Sequence, residues 1–233
     1  MNPVIPIFLF VNEPGAPFLE TAVRSIRENA SRLFRYRIHV LGDTISTNLN
    51  LKNFPDADFE LRTGSLPLLQ LPSGVPVPSL SSFVRLFIAQ LYPEYDKVIC
   101  LSADLAVTGD ISCLYAEPLG NKLIGAAVGP GNRINPDVLL LNCRRMREED
   151  LAGQLMAWLA DKTNSNETKP GIAPDSLKDF LSTLHRSSIQ YLDPDWNATP
   201  CDHVPVTDDI HVIHFTPDAR FNDAFWQYAL SLA

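Results

Sequence analysis

Residues Val4 to Val11 read VIPIFLFV, an unbroken apolar run. A strand with one wet face alternates apolar and polar residues, so an unbroken run fits a strand covered on both faces. A turn cluster follows at Asn12-Glu13-Pro14-Gly15. Ala16 to Ala30 then places Phe18, Leu19, Ala22, Val23 and Ile26 at helical spacing, and Tyr36 to Leu41 (YRIHVL) returns to strand. Strand, helix and strand in that order imply a parallel pair with a right-handed crossover, and therefore an α/β sheet with helices on its faces.

The pattern continues along the chain. Ala57 to Arg62 reads as a third strand, and Gly64 to Pro78, rich in Pro, Leu and Gly without a period, as a loop. Leu80 to Leu91 is a helix with Phe83, Leu86, Phe87 and Leu91 inward. Val98 to Leu101, Leu123 to Val128 and Val138 to Asn142 are strands. Glu148 to Ala160 and Pro174 to Leu184 are helical, separated by a polar loop at Lys162 to Gly171. Ile189 to Leu192 and Ile210 to Phe215 are strands, and Asp223 to Leu232 is a terminal helix. With no repeat and no linker that splits it, the chain reads as one domain over residues 1–233.

Charge narrows the function. A formal net charge of -8, from 19 basic and 27 acidic residues, argues against a nucleic-acid surface, which needs clustered Lys and Arg. It leaves room for one basic pocket holding a diphosphate. No run reaches the roughly 18 apolar residues of a membrane span, and Met1 to Phe10 lacks the basic flank of a signal peptide. Of the four cysteines, Cys100 and Cys143 lie in or beside apolar runs and read as buried free thiols, whereas Cys113 and Cys201 form no CxxC with them. A cytoplasmic location is the expectation.

In open α/β sheets, ligands bind beyond the carboxyl ends of the strands. That rule selects Asn12 and Glu13 after the first strand, Asp104 after the central one and His214 near the end of the last. Carboxylates and imidazoles are the groups that hold divalent cations beside phosphates. A strand-closing turn residue and a satisfied strand histidine are the alternative roles of Asp104 and His214.

Several segments, in order, resemble glycosyltransferase family 8, the glycogenin and lipopolysaccharide-galactosyltransferase kind. Tyr95-Asp96-Lys97-Val98 through Leu101-Ser102-Ala103-Asp104-Leu105 is similar to the family's EYDKVLYLDADVLV, and Gly109-Asp110-Ile111 through Leu114 to its Gly-Asp-Leu turn and helix. Ile134 to Asn142 resembles FNSGVLLLN, Leu192-Asp193-Pro194-Asp195-Trp196-Asn197 resembles LDPRWN, and Val212 to Thr216 resembles IIHFTG. Phe225-Trp226-Gln227-Tyr228-Ala229 matches FWKYA, and Arg35 to Leu41 fits the second strand.

The resemblance implies a GT-A fold, with a mixed, mostly parallel sheet flanked by helices, and a retaining transfer of a hexose from a UDP-sugar to a hydroxyl acceptor. The acceptor class, whether glycan, lipid-linked or protein, stays open. The resemblance further implies a manganese or magnesium ion held by Asp104 and His214. It places Val11, Asn12, Glu13, Arg85, Ser102, Ala103, Asn135 and Arg220 along the donor, and Asp137 and Asp175 at the reaction centre. For Arg85, on a helix matching the family's Thr-x-x-x-Arg-Leu pattern, a surface salt bridge is the other role open.

This chain also departs from the family. Its Asp-x-Asp is reduced to Ser102-Ala103-Asp104, and Asn12 and Glu13 stand where the family often carries an Asp pair. Pro136-Asp137 replaces a Ser/Ala-Gly, Ala173-Pro174-Asp175 replaces Asp-Gln-Asp, and Arg220 is the nearest cation to the place of the Lys-Pro-Trp tail's lysine. Hard cations bind more tightly the more anionic oxygens a site supplies, so Ser102 in place of a carboxylate predicts weakened metal binding. Two roles are open to Asp137, replacing the lost ligand or filling the sugar's space. The competing functional readings are a scaffold module that kept the fold without the reaction, and a nucleotide-sugar sensor.

Overall fold

The apolar run becomes β1 (Val4–Val11), buried along its whole length except Val4. Helix α1 (Leu19–Asn29) leads to β2 (Arg35–Gly42) and then β3 (Phe59–Ser65), each parallel to its predecessor. After α2 (Leu80–Leu91), β4 (Val98–Ser102) lies on the other side of β1, again parallel. Strand β5 (Leu105–Val107), helix α3 (Ile111–Ala116), β6 (Ile124–Val128) and β7 (Ile134–Leu141) follow, then helices α4 (Cys143–Glu148), α5 (Leu151–Asn164) and α6 (Ser176–Thr183), and finally β8 (Ile189–Tyr191) and β9 (Val212–His214). The computed structural model describes residues 2–11, 18–42, 58–65, 80–129, 133–164, 176–198 and 209–215. The loop at Gly64 to Pro78 beyond Ser65, most of the polar loop after Lys162 and the terminal helix expected over Asp223 to Leu232 lie outside the described residues.

The main sheet has seven strands in the order β3-β2-β1-β4-β7-β6-β8. Four of its six pairings are parallel; β7 runs antiparallel to both neighbours. Strands β5 and β9 form a separate antiparallel pair. Alternation along β1 divides the core. Phe8 and Phe10 face α2, α4, α5 and α6, whereas Ile5, Ile7, Leu9 and Val11 share the opposite layer with α1 and α3. Each buried aromatic or aliphatic side chain contributes about 1.5–3 kcal/mol by leaving water, so a strand apolar on both faces is stable only between two helical layers. No helix among the described residues is long and apolar enough to cross a membrane.

Several elements differ from the sequence expectation. The helix expected over Glu148 to Ala160 is α5, which starts at Leu151 and runs through Asn164, past the start of the loop expected from Lys162; a further short helix, α4, precedes it, and the two meet at a left-handed Asp150 (φ 48°). The Asp150 carboxylate accepts from the Gly153 amide at 3.1 Å, and a Cβ at Gly153 would sit 2.1 Å from its other oxygen, so the carboxylate packs in this place against a glycine. The start of α4 is capped by Asn142, which the sequence pattern places in the preceding strand; its side chain accepts from the Arg145 amide. Strand β7 begins at Ile134 instead of Val138, with Pro136 inside it. Proline is tolerated there because the ladder with β4 starts only at Val138, and the Pro136 carbonyl accepts from Arg85 instead of a strand. Cys100 and Cys143 are buried free thiols, as expected, and burial pushes Cys143 up to about 12.

Candidate active site

Two registers assemble the site. Strand β4 pairs antiparallel with β7 at Leu101↔Val138, and one step further along the same diagonal places Ser102 beside Asp137. Because β7 runs against the parallel strands, its beginning lies at their carboxyl ends, where ligands bind. The second register is β5 on β9, where Leu105 pairs with His214 and the Phe215 amide donates to the Asp104 carbonyl at 2.8 Å. It brings Asp104 and His214 together although they are far apart in sequence.

The side chains form a connected series. The Ser102 hydroxyl donates to Asp137 Oδ1 at 2.8 Å, and Asp137 Oδ2 lies 3.6 Å from His214 Nδ1. On the other edge of the imidazole, Nε2 lies 3.5 Å from Asp104 Oδ1. Arg85 on α2 donates to the Pro136 carbonyl and to Ser102 Oγ, the latter at 3.5 Å, while its guanidinium stands 5.1 Å over the Phe10 ring. Ser102 thus receives from a cation and donates to an anion, which uses a hydroxyl in both its capacities.

Burial makes these contacts matter. His214 and Arg85 are each 5% exposed, and Ser102 is 8% exposed. Asp104 and Asp137 are more open, with side chains 22% and 24% exposed. Burial pushes His214 toward its neutral form, but the contact with Asp104 and the charges of Asp137 and Asp104 outweigh it, and Lys178 opposes them only weakly. The ring's pKa is therefore raised above the ordinary histidine value. His214 Nδ1 and Arg85 Nε are buried without a hydrogen-bond partner.

The remaining predicted residues group around this series. Asn135 accepts the Asp137 amide on its Oδ1 at 3.2 Å, which shapes the start of β7 under Asp137. Ala103, 1% exposed, donates its amide to the Phe10 carbonyl at 3.0 Å, and Val11, 4% exposed, ends β1. The fold therefore collects Val11, Arg85, Ser102, Ala103, Asp104, Asn135, Asp137 and His214 at one end of the sheet. Asn12, Glu13, Asp175 and Arg220 lie outside the described residues. Strand-end reasoning alone selects Asn12, Glu13, Asp104 and His214, residues at or after the carboxyl end of a strand. It passes over Asp137, which lies in the first half of the antiparallel β7 and is singled out only by the family resemblance.

The donor set can be tested against a divalent cation. Among the described residues, no group of three or more His, Cys, Asp or Glu is arranged to hold one metal ion. The reason is geometric, since Asp104 and Asp137 face opposite nitrogens of His214 and so cannot share an ion with it. Asp104 and His214 by themselves do fit. Donors 3.5 Å apart can both reach one ion at the bond lengths of about 2.0–2.2 Å usual for such ligands. A carboxylate on the far nitrogen of a ligating histidine is also a common supporting arrangement.

Comparison with known proteins places this architecture. Glycosyltransferase GlyE of Streptococcus pneumoniae is 28% identical over 168 residues, covering 64% of this chain and 41% of its own. Probable glycosyl transferase Gly of Streptococcus gordonii is 36% identical over 99 residues, 38% of this chain and 14% of that protein. The chain thus spans less than half the length of these curated relatives. Among solved structures, GlyE superposes with a TM-score of 0.72 at 19% identity, covering 98% of this chain and 61% of that one. The galactosyltransferase LgtC, in complex with donor and acceptor sugar analogues, superposes with a TM-score of 0.68 at 18% identity, covering 98% and 96%. These structural likenesses speak for a shared GT-A fold. Residues 6–221 match the family model described as Glycosyl transferase family 8. With that match running over most of its length, the chain belongs to glycosyl transferase family 8.

Proposed function

We propose that the chain is one GT-A domain that passes a hexose from a UDP-sugar to a hydroxyl acceptor with retention of configuration, assisted by manganese or magnesium. The observation that carries this reading is the Asp104–His214 pair, 3.5 Å apart at the carboxyl ends of the parallel strands. In the transfer, the bond from the anomeric carbon to the diphosphate breaks with its electron pair on the departing UDP. The bond to the acceptor oxygen forms on the same face of the sugar, and the acceptor hydroxyl passes its proton to an oxygen of the departing diphosphate.

Asp104 and His214 would hold the cation, which supplies Lewis-acid neutralisation of the leaving diphosphate. Arg85, fixed by Pro136 and Ser102, contributes a permanent positive charge behind the site that costs no reorganisation during the reaction. Asp137 and Asn135 shape the wall where the donor sugar lies. Arg220 is the candidate for direct contact with the diphosphate and Asp175 for the reaction centre. The acceptor is a glycan, a lipid-linked sugar or a protein hydroxyl.

The test is release of UDP from UDP-glucose and UDP-galactose in the presence of manganese. The expected result is metal-dependent release that Asp104→Ala abolishes. No release, together with no shift in thermal unfolding on adding UDP and manganese, overturns the reading.

A further inference from the structure

Asp137 is the carboxylate of the site whose position nothing in strand-end chemistry demands. Its two oxygens are committed in different directions. Oδ1 accepts the Ser102 hydroxyl at 2.8 Å, and Oδ2 faces His214 Nδ1 at 3.6 Å. Its backbone is fixed as well, since its amide donates to Asn135 and the preceding carbonyl accepts from Arg85. His214 is 5% exposed, and its Nδ1 is a buried atom with no hydrogen-bond partner. An imidazole held this way has one edge against an anchored carboxylate and the other edge, Nε2, turned toward Asp104.

We infer that Asp137 is a positioning residue for His214: anchored by Ser102, it holds the ring's Nδ1 edge and presents Nε2 to the side of Asp104. The inference rests on the reading of Asp104 and His214 as a ligand pair. It also excludes one of the two roles open to Asp137, that of a replacement ligand. A carboxylate on the Nδ1 edge cannot join Asp104 and Nε2 around one ion, so Asp137 does not replace a ligand in place. It acts through the histidine, standing against the Nδ1 edge and leaving the Nε2 edge on the side of Asp104.

The experiment has two arms on the full chain. In the first, nitrogen-15 spectra of the histidine ring are recorded on metal-free protein at a pH where the ring is neutral. Asp137→Ala is expected to shift the His214 Nδ1 resonance more than the Nε2 resonance, and Asp137→Asn, which keeps an oxygen at that edge, to shift it less. In the second arm, calorimetry measures manganese binding in the presence of UDP. Asp137→Ala is expected to weaken it about 10–100-fold, the usual effect of removing a partner behind a ligating histidine. Asp137→Ala combined with His214→Ala is expected to bind no worse than His214→Ala alone. Unchanged ring nitrogens in Asp137→Ala, or additive losses in the double variant, overturn the inference. If wild-type protein binds no manganese with UDP, the proposed function fails instead, and the ring spectra still decide the role of Asp137.

Discussion

Ser102, the last residue of β4, donates its hydroxyl hydrogen to Asp137 of the antiparallel strand β7 across 2.8 Å. This contact bears on the Asp-x-Asp that the family resemblance implies. Ser102, where the resemblance implies a carboxylate, touches Asp137, where it implies none, and the hydroxyl is what lets the two share the space.

Restoring a carboxylate at position 102 therefore harms the wild-type site. Ser102→Asp would set two carboxylates in contact in a half-buried place, where one must be protonated or displaced. The expected outcome is a loss of stability on the order of 1–3 kcal/mol in urea unfolding near neutral pH, largely relieved by adding Asp137→Asn. A Ser102→Asp variant as stable as wild type contradicts the arrangement.

Arg85 is a buried cation whose acceptors are the Pro136 carbonyl and the Ser102 hydroxyl. Replacing it leaves those oxygens without their donor and removes the charge above Phe10. Arg85→Ala is expected to cost about 3 kcal/mol, read by chemical denaturation. Arg85→Lys is expected to recover only part, because an ammonium cannot imitate the planar fork.

Manganese alone should bind weakly, since on the proposed reading the described residues offer it one carboxylate, Asp104, and one imidazole, His214. Calorimetry is expected to give an affinity for the metal alone weaker than micromolar, and clearly tighter binding once UDP supplies phosphate oxygens. Low-micromolar binding without nucleotide contradicts a two-residue ligand set.

A second histidine governs stability in acid. His39 stacks on Phe8 at 4.4 Å between ring centres, and its Nε2 lies 3.1 Å from the Tyr95 hydroxyl. Burial, then the charges of Arg62 and Arg37, lower its pKa to about 4, against the weaker pull of Glu94 and Glu60. Tyr92 packs edge-on against it. The folded pKa is below the unfolded one, so the unfolded chain takes up the proton first as pH falls. Stability from this group is whole above about 6.5 and is lost as pH drops toward 4. The drop is at most about 3 kcal/mol. His39→Phe is expected to flatten the slope of unfolding free energy over that window; an unchanged slope contradicts it.

Most of the fold was legible because its signals are local. The unbroken run at Val4 to Val11 and the helical spacing of Leu80 to Leu91 each report their own burial, and both elements stand where the pattern placed them. The break at Asp150 was not legible, because it depends on one carboxylate meeting the amide of Gly153. Motif order names the candidate residues, including Asp104, His214 and Asp137. What it could not give was the pairing. Ser102 meets Asp137 only because β7 enters the sheet in reverse, and His214 meets Asp104 only through the β5–β9 ladder. Both are long-range registers, which residue patterns within a segment do not encode.

The most direct measurement is a crystal structure of the chain with UDP and manganese, using the anomalous signal of the metal. The account predicts one manganese peak bonded to Asp104 Oδ1 and His214 Nε2, bridging to the diphosphate, with Asp137 on the Nδ1 side of the ring and away from the ion. Nucleotide bound without metal at that pair, or manganese bonded to Asp137, would contradict it.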